Sequence, residues 1–199
     1  MAMNHAAIKK ICRAIRSGAW IVLLLLAAGP GIAPGAARAG TEISKEYQVK
    51  AVFLFNFAQF VEWPTNAFPE TQTPLVIGIL GDDPFGAFLD ETVRGETVNT
   101  RPLVIRRFRR VEDIKMCHIL FISQSEAKRL DRIFTDLKDR NILTVGDSEN
   151  FASRGGMIRF NIEQNKIQLR INLEAAKAAN LTISSKLLRP AVIVAPGKD

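Results

Sequence analysis

Between Tyr47 and Pro64 the chain reads YQVKAVFLFNFAQFVEWP, and apolar residues occupy nearly every direction around a helical wheel. An ordinary surface helix carries a single apolar stripe, so a helix over this stretch has to be covered on several sides. It is roughly 25 Å long, close to a small domain's diameter. Pro64 is placed to stop it, because proline disfavours helix at the residue before it and has no backbone donor. The pattern fits a central core helix, and it also fits a helix shared between the core and an interface with a second chain. In the second arrangement Val52, Phe53 and Val61 cover a sheet, while Phe57, Phe60 and Trp63 lie nearer another surface.

Downstream, short apolar runs alternate with amphipathic stretches. Residues 75–80 (LVIGIL) are apolar throughout, as in a strand covered on both faces. Gly81-Asp82-Asp83-Pro84 ends that strand, and Asp83 is placed to cap a helix over 84–94. An extended segment over 97–107 holds a second strand at Leu103, Val104 and Ile105, and a third covers 118–122. Ser123-Gln124-Ser125-Glu126 fits a capping box opening a helix that reaches 138. A fourth strand over 142–145 ends in Gly146-Asp147-Ser148, followed by a helical turn over 150–153. Ile158, Phe160 and Ile162, then Ile167, Leu169 and Ile171, alternate with polar residues on either side of a turn over 163–166. This predicts an antiparallel hairpin with one wet face. Asn172 caps a helix over 173–179, and a last helical turn over 184–188 ends before Pro190. The order predicts an α/β domain over 40–199: a mainly parallel sheet flanked by helices and extended by a C-terminal antiparallel hairpin.

The N-terminus alters what composition means. Lys9, Lys10, Arg13 and Arg16 precede the apolar run 19–28, and Ala37-Arg38-Ala39 supplies the small-x-small pattern of a signal peptidase site. This predicts an export signal cleaved after Ala39, with an apolar run too short for a permanent membrane anchor. With Arg38, the signal holds five of the chain's 27 basic groups and no acidic one, leaving 22 against 20 in the mature protein. The formal charge of +7 therefore falls to near +2, and nucleic-acid binding loses its main support. Arg106, Arg107, Arg109 and Arg110 form the one remaining basic run, in the pattern of a solvated strand end. Of two cysteines, Cys12 lies in the signal, so the mature chain keeps only Cys117 and forms no internal disulfide.

Chemistry has few places to sit. In a parallel sheet, ligands gather beyond the C-terminal ends of the strands. There Asp82, Asp83, Ser123, Asp147 and Ser148 are placed to line a small polar pocket, although turns and caps demand the same residue types. The one mature histidine, His118, stands at the entry of an apolar strand. The sequence contains no CxxC, HExxH, GxSxG or GxxxxGK[ST], so no catalytic residue, metal site or cofactor is expected and a non-enzyme is favoured.

The segments KAVFLFNFAQFVEWP, LVIGILGDDPFG, CHILFISQSE and GDSENFASRGGMIRFNIEQNKIQLRINLEAAKAANLTISSKLLRPA occur in an order and spacing that resemble the YfiR family of periplasmic proteins. The resemblance implies a soluble α/β periplasmic protein that dimerises. In that family, the best-studied members hold an inner-membrane diguanylate cyclase inactive through its periplasmic sensor part. An outer-membrane lipoprotein relieves the repression, and the output is cyclic di-GMP, which governs biofilm formation. Those members carry disulfide-forming cysteine pairs, whereas here only Cys117 remains after maturation.

Two functions follow as expectations. The first is a protein-binding repressor of such a cyclase, with Phe57, Phe60, Trp63, Arg159 and Arg170 facing the partner. The second is a periplasmic binder of a nucleotide or amino acid at the polar strand ends.

Overall fold

The computed structural model describes residues 44–164, 166–195 and 197, within the unit Thr41–Asp199 of the two into which the chain divides. The expected export signal and its cut after Ala39 lie outside the described residues. Helix α1, Lys45–Phe60, opens on Ser44, whose hydroxyl accepts a hydrogen bond from the Tyr47 N–H. It ends four residues before Pro64. Val61–Glu62 turns extended as strand β1 and pairs antiparallel with β9, Thr182–Ile183. Strand pairing, rather than proline, ends the helix.

Eight strands form the main sheet in the order β10-β8-β7-β6-β5-β2-β4-β3, the last being Thr97–Val98. Its centre is β4 (Arg101–Phe108), β2 (Leu75–Leu80), β5 (Ile119–Ile122), β6 (Leu143–Gly146) and β7 (Ile158–Glu163), each parallel to its neighbour. This is the 2-1-3-4-5 order of a doubly wound sheet, reversing direction at β2. Strand β8, Lys166–Ile171, closes an antiparallel hairpin with β7, and β10, Val192–Ile193, runs parallel to β8 at the edge. The α/β class and the C-terminal hairpin expected from the sequence are thus what the chain adopts.

Alternation along the strands feeds two cores. Ile77, Ile79, Ile119, Phe121, Leu143 and Val145 point to the side covered by α1 and by α2, Ala87–Val93. Leu80, Leu120 and Ile122 point to the side covered by α3, Leu130–Asp136. Both faces are buried, which explains why the central strands read as unbroken apolar runs. Phe151 is seated between Gly146 and Gly156, where a Cβ on either glycine would come within 2.4 and 2.2 Å of its ring.

Several local expectations are corrected. The segment over 97–107 is not one strand: β3, Thr97–Val98, folds back on β4 through Asn99 and Thr100, both at positive φ. The helix expected from Pro84 begins only at Ala87. Asp83 instead accepts the Phe85 and Gly86 N–H groups in a turn. Ser123 bonds the Ser125 N–H, and Glu126 pairs with Arg129 rather than reaching back, so a 3-10 stretch, Gln124–Arg129, precedes α3. The hairpin loop has two residues, with Glu163 paired to Lys166 and Gln164 at positive φ. Asn172 does cap α4, Leu173–Ala178, accepting the Ala175 N–H at 3.0 Å.

Candidate functional site

The face of α1 that meets the sheet carries a charge the hydrophobic pattern conceals. Lys50 is 1% exposed, held at 2.5 Å by Asp147 Oδ2 at the end of β6. It also pairs with Glu46 one turn earlier. Tyr47 donates its hydroxyl to the same Asp147 oxygen at 2.9 Å, and Lys50 Nζ lies 4.3 Å from the Tyr47 ring centroid. Burial first, then the neighbouring Asp147 carboxylate, drive the Tyr47 phenol well above its ordinary range. This cluster was missed by pattern reading, yet its signal is present: Lys50 is the one basic residue between Tyr47 and Pro64. A charge inside such a helix has to find a partner.

Most of the side chains at the polar strand ends are engaged in local contacts within the chain. At the reversal of strand order, between β2 and β5, Ser125 and Glu126 fill the crevice. A Cβ at Gly81 would meet Ser125 Oγ at 2.4 Å, and the Asp82 N–H donates to that hydroxyl. Asp83 is taken by its turn and by Arg107, which reaches it at 2.7 Å. Arg107 also clasps Asp90, and that hydrogen bond holds the Asp90 carboxyl below the usual carboxylate range. Ser123 is buried in its cap, and Asp147 belongs to the Lys50 cluster. Ser148 lies beside Asp147, and Ser148 Oγ and Asp147 Oδ1 are buried without a hydrogen-bond partner among the described residues. Four of the five residues thus belong to three separate local networks, Asp82 and Ser123 sharing Ser125, and Ser148 joins none of them. Among the described residues, no group of three His, Cys, Asp or Glu side chains could hold a metal ion.

The aromatic residues expected at a partner surface divide. Phe57 is fully buried and stacks on Phe160 with centroids 5.9 Å apart, so its expected exposure is corrected: it is core. Phe53 also reaches Phe160, at 5.8 Å, while it and Val52 remain half-buried. Phe60 is half-buried at the end of α1. Trp63 is half-buried too and donates its indole N–H to the His118 carbonyl. His118 itself is buried, stacked on Phe68 at 4.3 Å. Its Nδ1 accepts the Val76 N–H and therefore carries no proton, which assigns the proton to Nε2, donating to Ala67 O. Burial lowers its pKa below the ordinary histidine value.

On the hairpin, Arg159 and Arg170 face each other across β7 and β8 on the side away from Phe160, and Arg170 donates to Glu163 at 3.2 Å. Phe57, stacked on Phe160, and the two arginines therefore lie on opposite faces of this hairpin. A groove sequence reading did not foresee opens where α1 and the hairpin diverge. It is about 470 Å³, lined by Lys45, Glu46, Val49, Phe53, Ile162, Lys166 and Ile167. Val49 and Ile162 stand 48% and 47% exposed in it.

Among the described residues no helix is long and apolar enough to cross a membrane. No curated protein matches the chain. The YfiR/HmsC-like family profile matches residues 47–192, from the first turn of α1 to the first residue of β10. That span covers most of the chain, which therefore belongs to the YfiR/HmsC-like family.

Proposed function

We propose that the protein is an exported regulator that binds the periplasmic sensor part of an inner-membrane diguanylate cyclase and holds it inactive, lowering cyclic di-GMP and biofilm formation. Family membership over residues 47–192 is the observation that carries this reading. The geometry favours it over small-ligand binding, because most of the side chains at the strand ends are engaged by other residues of the chain. Asp83 holds Arg107, Asp147 holds Lys50 and Tyr47, and Ser125 occupies the crevice beside Gly81.

A protein that acts by contact needs a firm scaffold and an exposed surface, not a reactive group. The scaffold here is α1, pinned to β6 by a buried ion pair. The residues that meet the partner in this reading are Phe60 and Trp63 at the end of α1 and, separately, Arg159 and Arg170 on the hairpin, with Phe57 reserved for the core. The reading further includes cleavage after Ala39, a homodimer, release by an outer-membrane lipoprotein, and no catalysis or cofactor. Deleting the gene in its own bacterium tests it: cyclic di-GMP and biofilm should rise and return to normal on complementation. Unchanged cyclic di-GMP would refute the reading.

A further inference from the structure

The groove between the first turns of α1 and the tip of the β7–β8 hairpin has the anatomy of an interface. Its floor is apolar, made by Val49 and Phe53 on the helix and Ile162 and Ile167 on the strands. Farther along the same helix, Phe57 closes onto Phe160 and the core is sealed. At the open end the two elements part, and nothing of the described chain covers Val49 or Ile162. The rim is cationic. Lys45 and Lys166 are exposed and make no ion pair among the described residues, whereas the carboxylate of Glu46 is already held by Lys50. An apolar floor inside a charged, exposed rim is how protein interfaces are built. Small-molecule pockets instead enclose most of their ligand and aim buried polar groups at it, and this groove has none.

We propose, building on the regulator reading, that this groove receives an apolar stretch of the repressed partner protein that bears a carboxylate set between Lys45 and Lys166. Apolar contact with Val49, Phe53 and Ile162 supplies the affinity. The two lysines orient the segment and speed its approach.

The test is made in the source bacterium with chromosomal Ile162→Asp and, separately, Lys45→Glu with Lys166→Glu. These are compared with the parent and the gene deletion. Cyclic di-GMP should rise to the deletion level in both variants, while the amount of protein in the periplasm and its melting temperature stay at parental values. If Ile162→Asp lowers the amount of protein, the charge reversal decides, because it touches only exposed side chains. Parental cyclic di-GMP in the variants, in a background where deletion raises it, overturns the groove assignment and leaves the regulator reading standing. A deletion without effect fails the regulator reading itself. Two further outcomes also overturn the assignment. One is conversion of a dimer to a monomer by Ile162→Asp in light scattering, which makes the groove a contact between copies. The other is a melting-temperature rise with decanoate in the parent but not in Ile162→Asp, which makes it a small-amphiphile site.

Discussion

Replacing Lys50 with methionine probes the buried ion pair that joins α1 to β6. The side chains of Lys50 and Asp147 are 1% and 3% exposed, so solvent screens their interaction little. Methionine keeps the volume and apolar stem but removes the cation, leaving the Asp147 carboxylate buried with only the Tyr47 hydroxyl on its occupied oxygen. Breaking one side of a buried pair costs about 3–5 kcal/mol. For a domain of this size that corresponds to a fall of roughly 6–20 °C in melting temperature. Urea unfolding followed by Trp63 fluorescence gives the free energy directly, since Trp20 belongs to the expected signal. Adding Asp147→Leu to Lys50→Met should recover most of the loss, because a well-packed apolar pair is often as stable as a buried ionic one. A loss of under about 1 kcal/mol for Lys50→Met, the range of exposed pairs, would refute the claim that this ion pair pins α1 to the sheet.

Phe57→Ala should cost about 3–5 kcal/mol in the same assay and Phe60→Ala less, as expected for a core and a half-buried ring; equal, small losses would return Phe57 to the surface. His118 gives an acid arm to stability. Its folded pKa lies below the unfolded value near 6.5, so the stability it contributes is complete above about pH 6.5 and is lost as pH falls through the folded value. Melts between about pH 7.5 and pH 5 should show this slope, and His118→Gln should flatten it. Cys117 is buried, with burial pushing its thiol up to about 12. In native mature protein it should resist a thiol reagent near neutral pH and react fully in urea; rapid native labelling would contradict that placement.

The sheet was legible because its centre is buried on both faces: LVIGIL and HILFI are short, β-branched-rich apolar runs of strand length. The hairpin was legible because Phe160 and Leu169 alternate with Asn161 and Gln168, and its register pairs those residues directly. Helix ends were less legible, since tertiary contacts set them. Val61 leaves α1 to pair with Ile183, and no local feature of FVEWP announces a strand partner more than a hundred residues away. The turn at Asn99 and Thr100 has positive φ at both residues without a glycine to mark it. At the strand ends the residue types fit two uses, and the structure shows one of them. Asp83, Ser123 and Asp147 cap, bridge and neutralise within the chain, and composition cannot distinguish such service from ligand binding. The aromatic helix misled in one further respect, because its many apolar faces concealed Lys50, the residue that fixes its placement.

The central claim is that this protein silences a cyclase from the periplasmic side of the inner membrane. Spheroplasts of the deletion strain expose that side, and protein purified from the periplasm can be added to them while cyclic di-GMP is measured. The account predicts that added protein lowers cyclic di-GMP toward the parental level in a saturable manner. Cyclic di-GMP that stays at the deletion level at saturating protein would contradict it.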